Sequence, residues 1–204
     1  YMFLYSAAMR LLIVIFCLFN NVVNCADEEM MYIESSVDHN SYLVQENHHD
    51  SVEASNLLAK INNKLQRMKK SLKKELYHLR HVRTFLQRFE STTIQESFKD
   101  DISATSYSVN KGENIVICLR SRNTEGHGEL SDENTLFYIV VHELAHIMSD
   151  SVGHTKEFGE NFKFLLSNAI KWKLYTFVDY RKNPSEYCGT VLNVTPMQLG
   201  FRRR

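Results

Sequence analysis

Apolar residues recur every seven positions between residues 56 and 90: Leu58, Leu65, Leu72, Leu79 and Leu86. Ile61, Met68, Val82 and Phe89 occupy the intervening offset, and only Glu75 is out of step. No glycine or proline interrupts the run, so the pattern predicts a long helix over 56–90. A sustained stripe of this period can form a coiled-coil seam, and self-association through it is one expectation. The other is that its second half, Leu72 to Phe89, packs on the following domain as that domain's first helix. Strict alternation replaces the stripe further on. Thr105–Val109 and Ile115–Leu119 flank Asn110-Lys111-Gly112-Glu113, which predicts two strands joined by a turn. Leu136 to Met148 is apolar on nearly every side, broken only by Tyr138, His142, Glu143 and His146, and this predicts a buried helix. Ser131 or Asp132 can cap it. Phe158, Phe162, Leu165, Leu166, Ala169 and Ile170 return at helical spacing and predict another core helix. Beyond Trp172, the segment containing Asn183-Pro184, Gly189 and Pro196 predicts loop or short strand.

The polar interruptions of the buried helix carry the chemistry. His142 and His146 are four residues apart, so they lie one above the other on one helical face and can aim two imidazoles at one point. That is half of a tetrahedral Zn²⁺ site. Glu143, beside the first histidine, can serve as general base toward a water at the metal. Ionisable groups in an apolar helix are costly unless paired or metal-bound, which favours the metal over hydrogen-bonded core histidines. For a third ligand, His154 follows Gly153, which could end the helix in a left-handed turn and swing the chain back. Glu157, Glu160, Glu186 and His127 are the alternatives on residue chemistry alone. Tyr175, Tyr180 or Tyr187 could donate to a developing oxyanion, and Met197 could turn beneath the metal. No Ser or Cys nucleophile arrangement and no phosphate-binding glycine loop competes.

Ile-Cys-Leu-Arg-Ser-Arg (117–122), an acidic glycine-containing loop, Val-Val-His-Glu-Leu-Ala-His (140–146), Gly-His-Thr-Lys-Glu-Phe (153–158) and Asn-Pro-Ser-Glu-Tyr-Cys-Gly (183–189) resemble the WLM and SprT-like zincins. They are most similar to WLM-type metallopeptidases of large DNA viruses, over about residues 75–190. The seven residues between His146 and His154 exceed the usual WLM spacing. The resemblance implies an α+β, zincin-like domain with an active-site helix, a small sheet and a long N-terminal helix. It also implies one Zn²⁺ held by His142, His146 and His154, with Glu143 as base and a peptide or protein as substrate. In zincins a strand beside the site helix receives the peptide by strand addition, and the predicted hairpin could supply that edge.

Composition divides the rest. Net charge is zero, so the whole-chain balance favours neither nucleic acid nor an acidic substrate. Met9-Arg10 followed by Leu11–Phe19 reads as a signal peptide or membrane anchor over 1–26. Secretory processing, with a secreted or membrane-anchored catalytic part, is therefore expected. Cys118 and Cys188 could then pair, and Asn193-Val194-Thr195 would be a glycosylation sequon. Residues 26–55 hold eight acidic residues and no Lys or Arg, which predicts a flexible acidic linker over 27–55. The polar face of 56–90 is basic, with Lys60, Lys64, Arg67, Lys70, Lys74 and Arg80 among its residues. Nucleic acid or an anionic membrane could use it, although the few interleaved aromatics argue against a stacking single-strand binder. The expected order is 1–26, 27–55, the helix at 56–90, a catalytic domain at 75–190 and a tail at 191–204. A zinc-stabilised binding module, engaging a partner through the basic helix, is the alternative to an enzyme.

Overall fold

The computed structural model describes residues 30–46, 48–98, 105–122 and 128–196. Helix α1 (Ser51–Glu75) carries Leu58, Ile61, Leu65, Met68 and Leu72 on one side, all buried in the shared core. The seven-residue stripe is thus an internal face, not a seam for a second chain. The single long helix also needs correction. After Glu75 the chain turns through Leu76–Leu79, and α2 (Arg80–Arg88) starts from Leu79 in an extended conformation. The stripe continues through the break because Val82, Phe85 and Leu86 reach the same core from a second helix.

The acidic segment also folds. β1 (Met30–Glu34) and β2 (Ser41–Gln45) form an antiparallel hairpin, with His39 at a φ of 58° in the connection. Its charges point outward, while Tyr42 and Val44 are buried against α1. Polar pins replace a large apolar face: Asn56 Oδ1 accepts from Ser35 Oγ and the Ser36 amide, and Ser55 Oγ donates to the Ile33 carbonyl.

A three-stranded sheet has the order β3-β5-β4, with β3 (Thr93–Glu96) parallel to β5 (Asn114–Ile117) and β4 (Ser106–Val109) antiparallel to it. The expected hairpin therefore forms. Its turn holds Asn110 and Lys111 at φ 46° and 54° and Gly112 at 117°. A Cβ on Gly112 would lie 2.9 Å from the Arg88 carbonyl, so glycine is required there. Between hairpin and sheet, Arg120 donates through Nε to Glu96 Oε1 at 2.9 Å and through Nη1 to Asp50, while the Gln45 amide donates to Glu96 Oε2 at 2.8 Å. This buried knot joins β2, the start of α1, β3 and the segment after β5.

Helix α3 (Glu133–Met148) runs through the core and α4 (Lys156–Lys171) packs on it. Two short strands, β6 (Ser185–Tyr187) and β7 (Thr190–Leu192), form a final hairpin. The result is an α+β fold. Among the described residues, no helix is long and apolar enough to cross a membrane. The expectation of a signal peptide or membrane anchor, and of a secretory localisation with it, is therefore not supported by the described residues. Residues 1–26, on which it was based, lie outside the described residues.

Candidate metal centre

Asp132 caps α3, its carboxylate accepting from the Asn134 and Thr135 amides at 3.0 Å each. Twelve of the sixteen residues of α3 are buried, which fixes its rotation and turns His142 and His146 together into a cleft. The helix ends at Ser149, and the chain returns through Gly153 at φ 82°. No atom lies within 4 Å of a Cβ built on Gly153, so its backbone conformation, not crowding, calls for glycine.

The turn brings His154 to the other two. Nε2 of His142 lies 3.2 Å from Nε2 of His146 and 3.0 Å from Nε2 of His154. A donor nitrogen from each ring lies within 4.8 Å of the others. Tetrahedral zinc with Zn–N bonds near 2.0–2.1 Å separates its nitrogens by about 3.4 Å, so the triad fits such an ion after small adjustments. Burial, then the neighbouring His146 and His154, lowers the His142 pKa to about 3, and burial also lowers that of His146. Both rings are thereby kept neutral, the form that offers a lone pair to a metal.

The other candidate ligands are elsewhere. Glu157 holds the return turn from within: it accepts from the Asp150 amide at 2.9 Å, the Ser151 amide at 3.0 Å and Ser151 Oγ at 2.6 Å. Those bonds, led by Ser151, lower its pKa to about 2. Glu160 is exposed and pairs with Lys156, and Glu186 accepts from the Gly189 amide within the last hairpin. His127 and Met197 lie outside the described residues.

Glu143 is 4% exposed and faces the cleft beside the triad. Burial raises its carboxyl to about 7, against the pull of Ser106, whose Oγ donates to Glu143 Oε1 at 2.8 Å. Ser106 was not foreseen, because a contact between residues 37 apart leaves no local signal. Phe158 was foreseen as core alone. Its ring also lies 4.8 Å from His142, 4.3 Å from His146 and 4.8 Å from His154, centroid to centroid, under all three imidazoles. Of the three tyrosines, Tyr175 and Tyr180 pack around Tyr138 in the core. Tyr187 lines the cleft and donates to the Thr105 carbonyl at 3.3 Å. Its hairpin is tied to the end of β5 by a disulfide between Cys118 and Cys188, and Cys188 occupies the β6–β7 turn.

No family model matches the chain. It is 33% identical to the uncharacterized protein R325 of Acanthamoeba polyphaga mimivirus over 189 residues, 91% of this chain and 93% of that protein. It is 31% identical to the uncharacterized protein 136R of Invertebrate iridescent virus 6 over 90 residues, 44% of this chain and 49% of that one. Among solved structures, Wss1 from Saccharomyces cerevisiae is similar with a TM-score of 0.49 and 20% identity, covering 64% of this chain and 88% of Wss1.

Proposed function

The chain belongs to the same family as the mimivirus protein R325, and from that premise we propose that it is a zinc-dependent metallopeptidase. The observation that carries the reading is the convergence of His142, His146 and His154 beside a buried, cleft-facing Glu143. The resemblance of the motif segments to WLM and SprT-like zincins supports the same chemistry. In this reading the three Nε2 atoms hold Zn²⁺, which when bound would acidify a water and polarise the scissile carbonyl.

Glu143 does the proton work. Its carboxylate takes a proton from the attacking water and gives it to the leaving amine. Ser106 holds Oε1 of that carboxylate, leaving Oε2 for the proton. A carboxyl raised to about 7 suits both directions of transfer near neutrality. Phe158 keeps the three rings together and excludes water from one side of them.

The test combines metal analysis of the purified chain with cleavage of a peptide library. Bound zinc near one ion per chain, with hydrolysis abolished by chelator and restored by zinc, is the expected result. Glu143→Gln should keep the zinc and lose the hydrolysis. Zinc binding with no cleavage by the unaltered chain would instead favour a metal-stabilised binding module.

A further inference from the structure

We propose that the cleft selects peptide segments with a bulky apolar residue on one side of the scissile bond and an acidic residue on the other. This rests on the peptidase reading above and names its substrate class. The cleft has two lobes that meet at the triad and share Thr105, Ser106, His142, His154 and Thr190.

The first lobe, about 1400 Å³, has Ile139, Phe158 and Phe162 on its helical side and Val191, Leu192 and Val194 on the side of the last hairpin. Val191 and Val194 remain 61% and 58% exposed, so apolar surface stands open to water directly beside the site. A bulky aliphatic or aromatic side chain would cover it, and the charged residues of this lobe, Lys156, Glu160 and Lys163, all stand on α4.

The second lobe, about 900 Å³, is the more polar of the two, although Val152 also lines it. Lys111 and Arg122 line it with Ser108 and Ser151, and Glu143 is the one carboxylate among its described lining residues. Lys111 donates to the Asp150 carbonyl at 3.4 Å, a neutral acceptor that leaves its positive charge for a substrate carboxylate. A peptide lying across the triad would pass from one lobe into the other, so the two preferences fall on opposite sides of the bond.

Two measurements test this. Zinc-loaded protein is given a peptide library and its cleavage sites are read by mass spectrometry. Glu143→Gln protein is titrated with two fluorescent peptides differing only at the two flanking positions, one with Phe and Glu, the other with Ser and Lys. Cut sites should carry a bulky apolar residue and an acidic residue in one fixed order. The Phe/Glu peptide should bind about tenfold more tightly. Val191→Asp should remove the apolar preference and keep the acidic one. Lys111→Glu with Arg122→Glu should turn the acidic preference basic, each surface charge contributing up to about fivefold. Cleavage without preference on either side, or equal binding of the two peptides, overturns the proposal and leaves the peptidase reading standing. Preferential binding with no cleavage by the zinc-loaded chain supports the two lobes and overturns the peptidase reading.

Discussion

Glu96 and Glu143 are both buried carboxylates, and their surroundings differ in kind. Glu96 is fully buried but meets the Arg120 guanidinium and the Gln45 amide, and Arg120 also reaches Asp50. Glu143 has a hydrogen bond from Ser106 and stands in a cleft beside three imidazoles. The first arrangement neutralises charge where it is buried and joins four segments of the fold. The second leaves a carboxylate and three lone-pair donors facing an open space. A buried charge already matched by protein charge marks architecture, whereas one left for something absent from the chain marks chemistry.

The comparison can be broken most directly by Glu143→Gln. Hydrolysis should fall by about 100- to 10000-fold, with zinc stoichiometry and melting temperature held or slightly raised, because no protein cation loses its partner. The matching change at the other site should do the reverse. Arg120→Met leaves Glu96 without its counter-charge and should cost about 3–5 kcal/mol in denaturant unfolding. If Arg120→Met proved neutral in stability, the contrast between the two carboxylates would fail.

His154→Ala should lower zinc affinity by more than about 100-fold in a competitive metal titration, more than an outer-shell change costs. Glu160→Ala should leave it unchanged. Glu157→Ala should have an intermediate effect of up to about tenfold, since Glu157 holds the turn that presents His154 and does not reach the metal. A glutamate variant losing as much affinity as the histidine variant would move the site.

The smallest effect concerns pH. Hydrogen bonds from Ser151 and the Asp150 amide hold the Glu157 pKa at about 2, below its usual 4.5. A depressed carboxyl stabilises the fold fully above its unfolded-state value and loses that contribution as pH falls toward the folded one. The melting-temperature gap between the unaltered chain and Glu157→Gln should therefore be constant from pH 7 to about 5 and close between about 4.5 and 2. A gap that widened on acidification would contradict the assigned bonds.

What was legible in the chain was what is local. His142 and His146 announce themselves because helical spacing alone sets them side by side, and Gly153 signals the turn that returns His154. The β4–β5 hairpin is equally plain from alternation around its glycine turn. Ser106 and the placement of Tyr187 depend on contacts between distant segments, and no spacing encodes them. The first hairpin was hidden for another reason: acidic composition suggests a solvated linker, but Tyr42 and Val44, with Ser35, Ser55 and Asn56, suffice to anchor it. At Leu76–Leu79 the opposite happened. The leucine repeat runs on through Leu79 and so cannot report that the helix stops and restarts, although Glu75, the one residue out of step, is where the first helix ends.

The bond between Cys118 and Cys188 also has a topological consequence. It closes a covalent ring containing α3, the return turn and α4, and therefore all three histidines and Glu143, with Ser106 outside it. A chain cut once inside that ring, whether by an added protease or by another copy of itself, would not come apart. Such nicked molecules should migrate as one band without reductant and as two with it, and zinc retention before reduction would measure how far the ring alone preserves the centre.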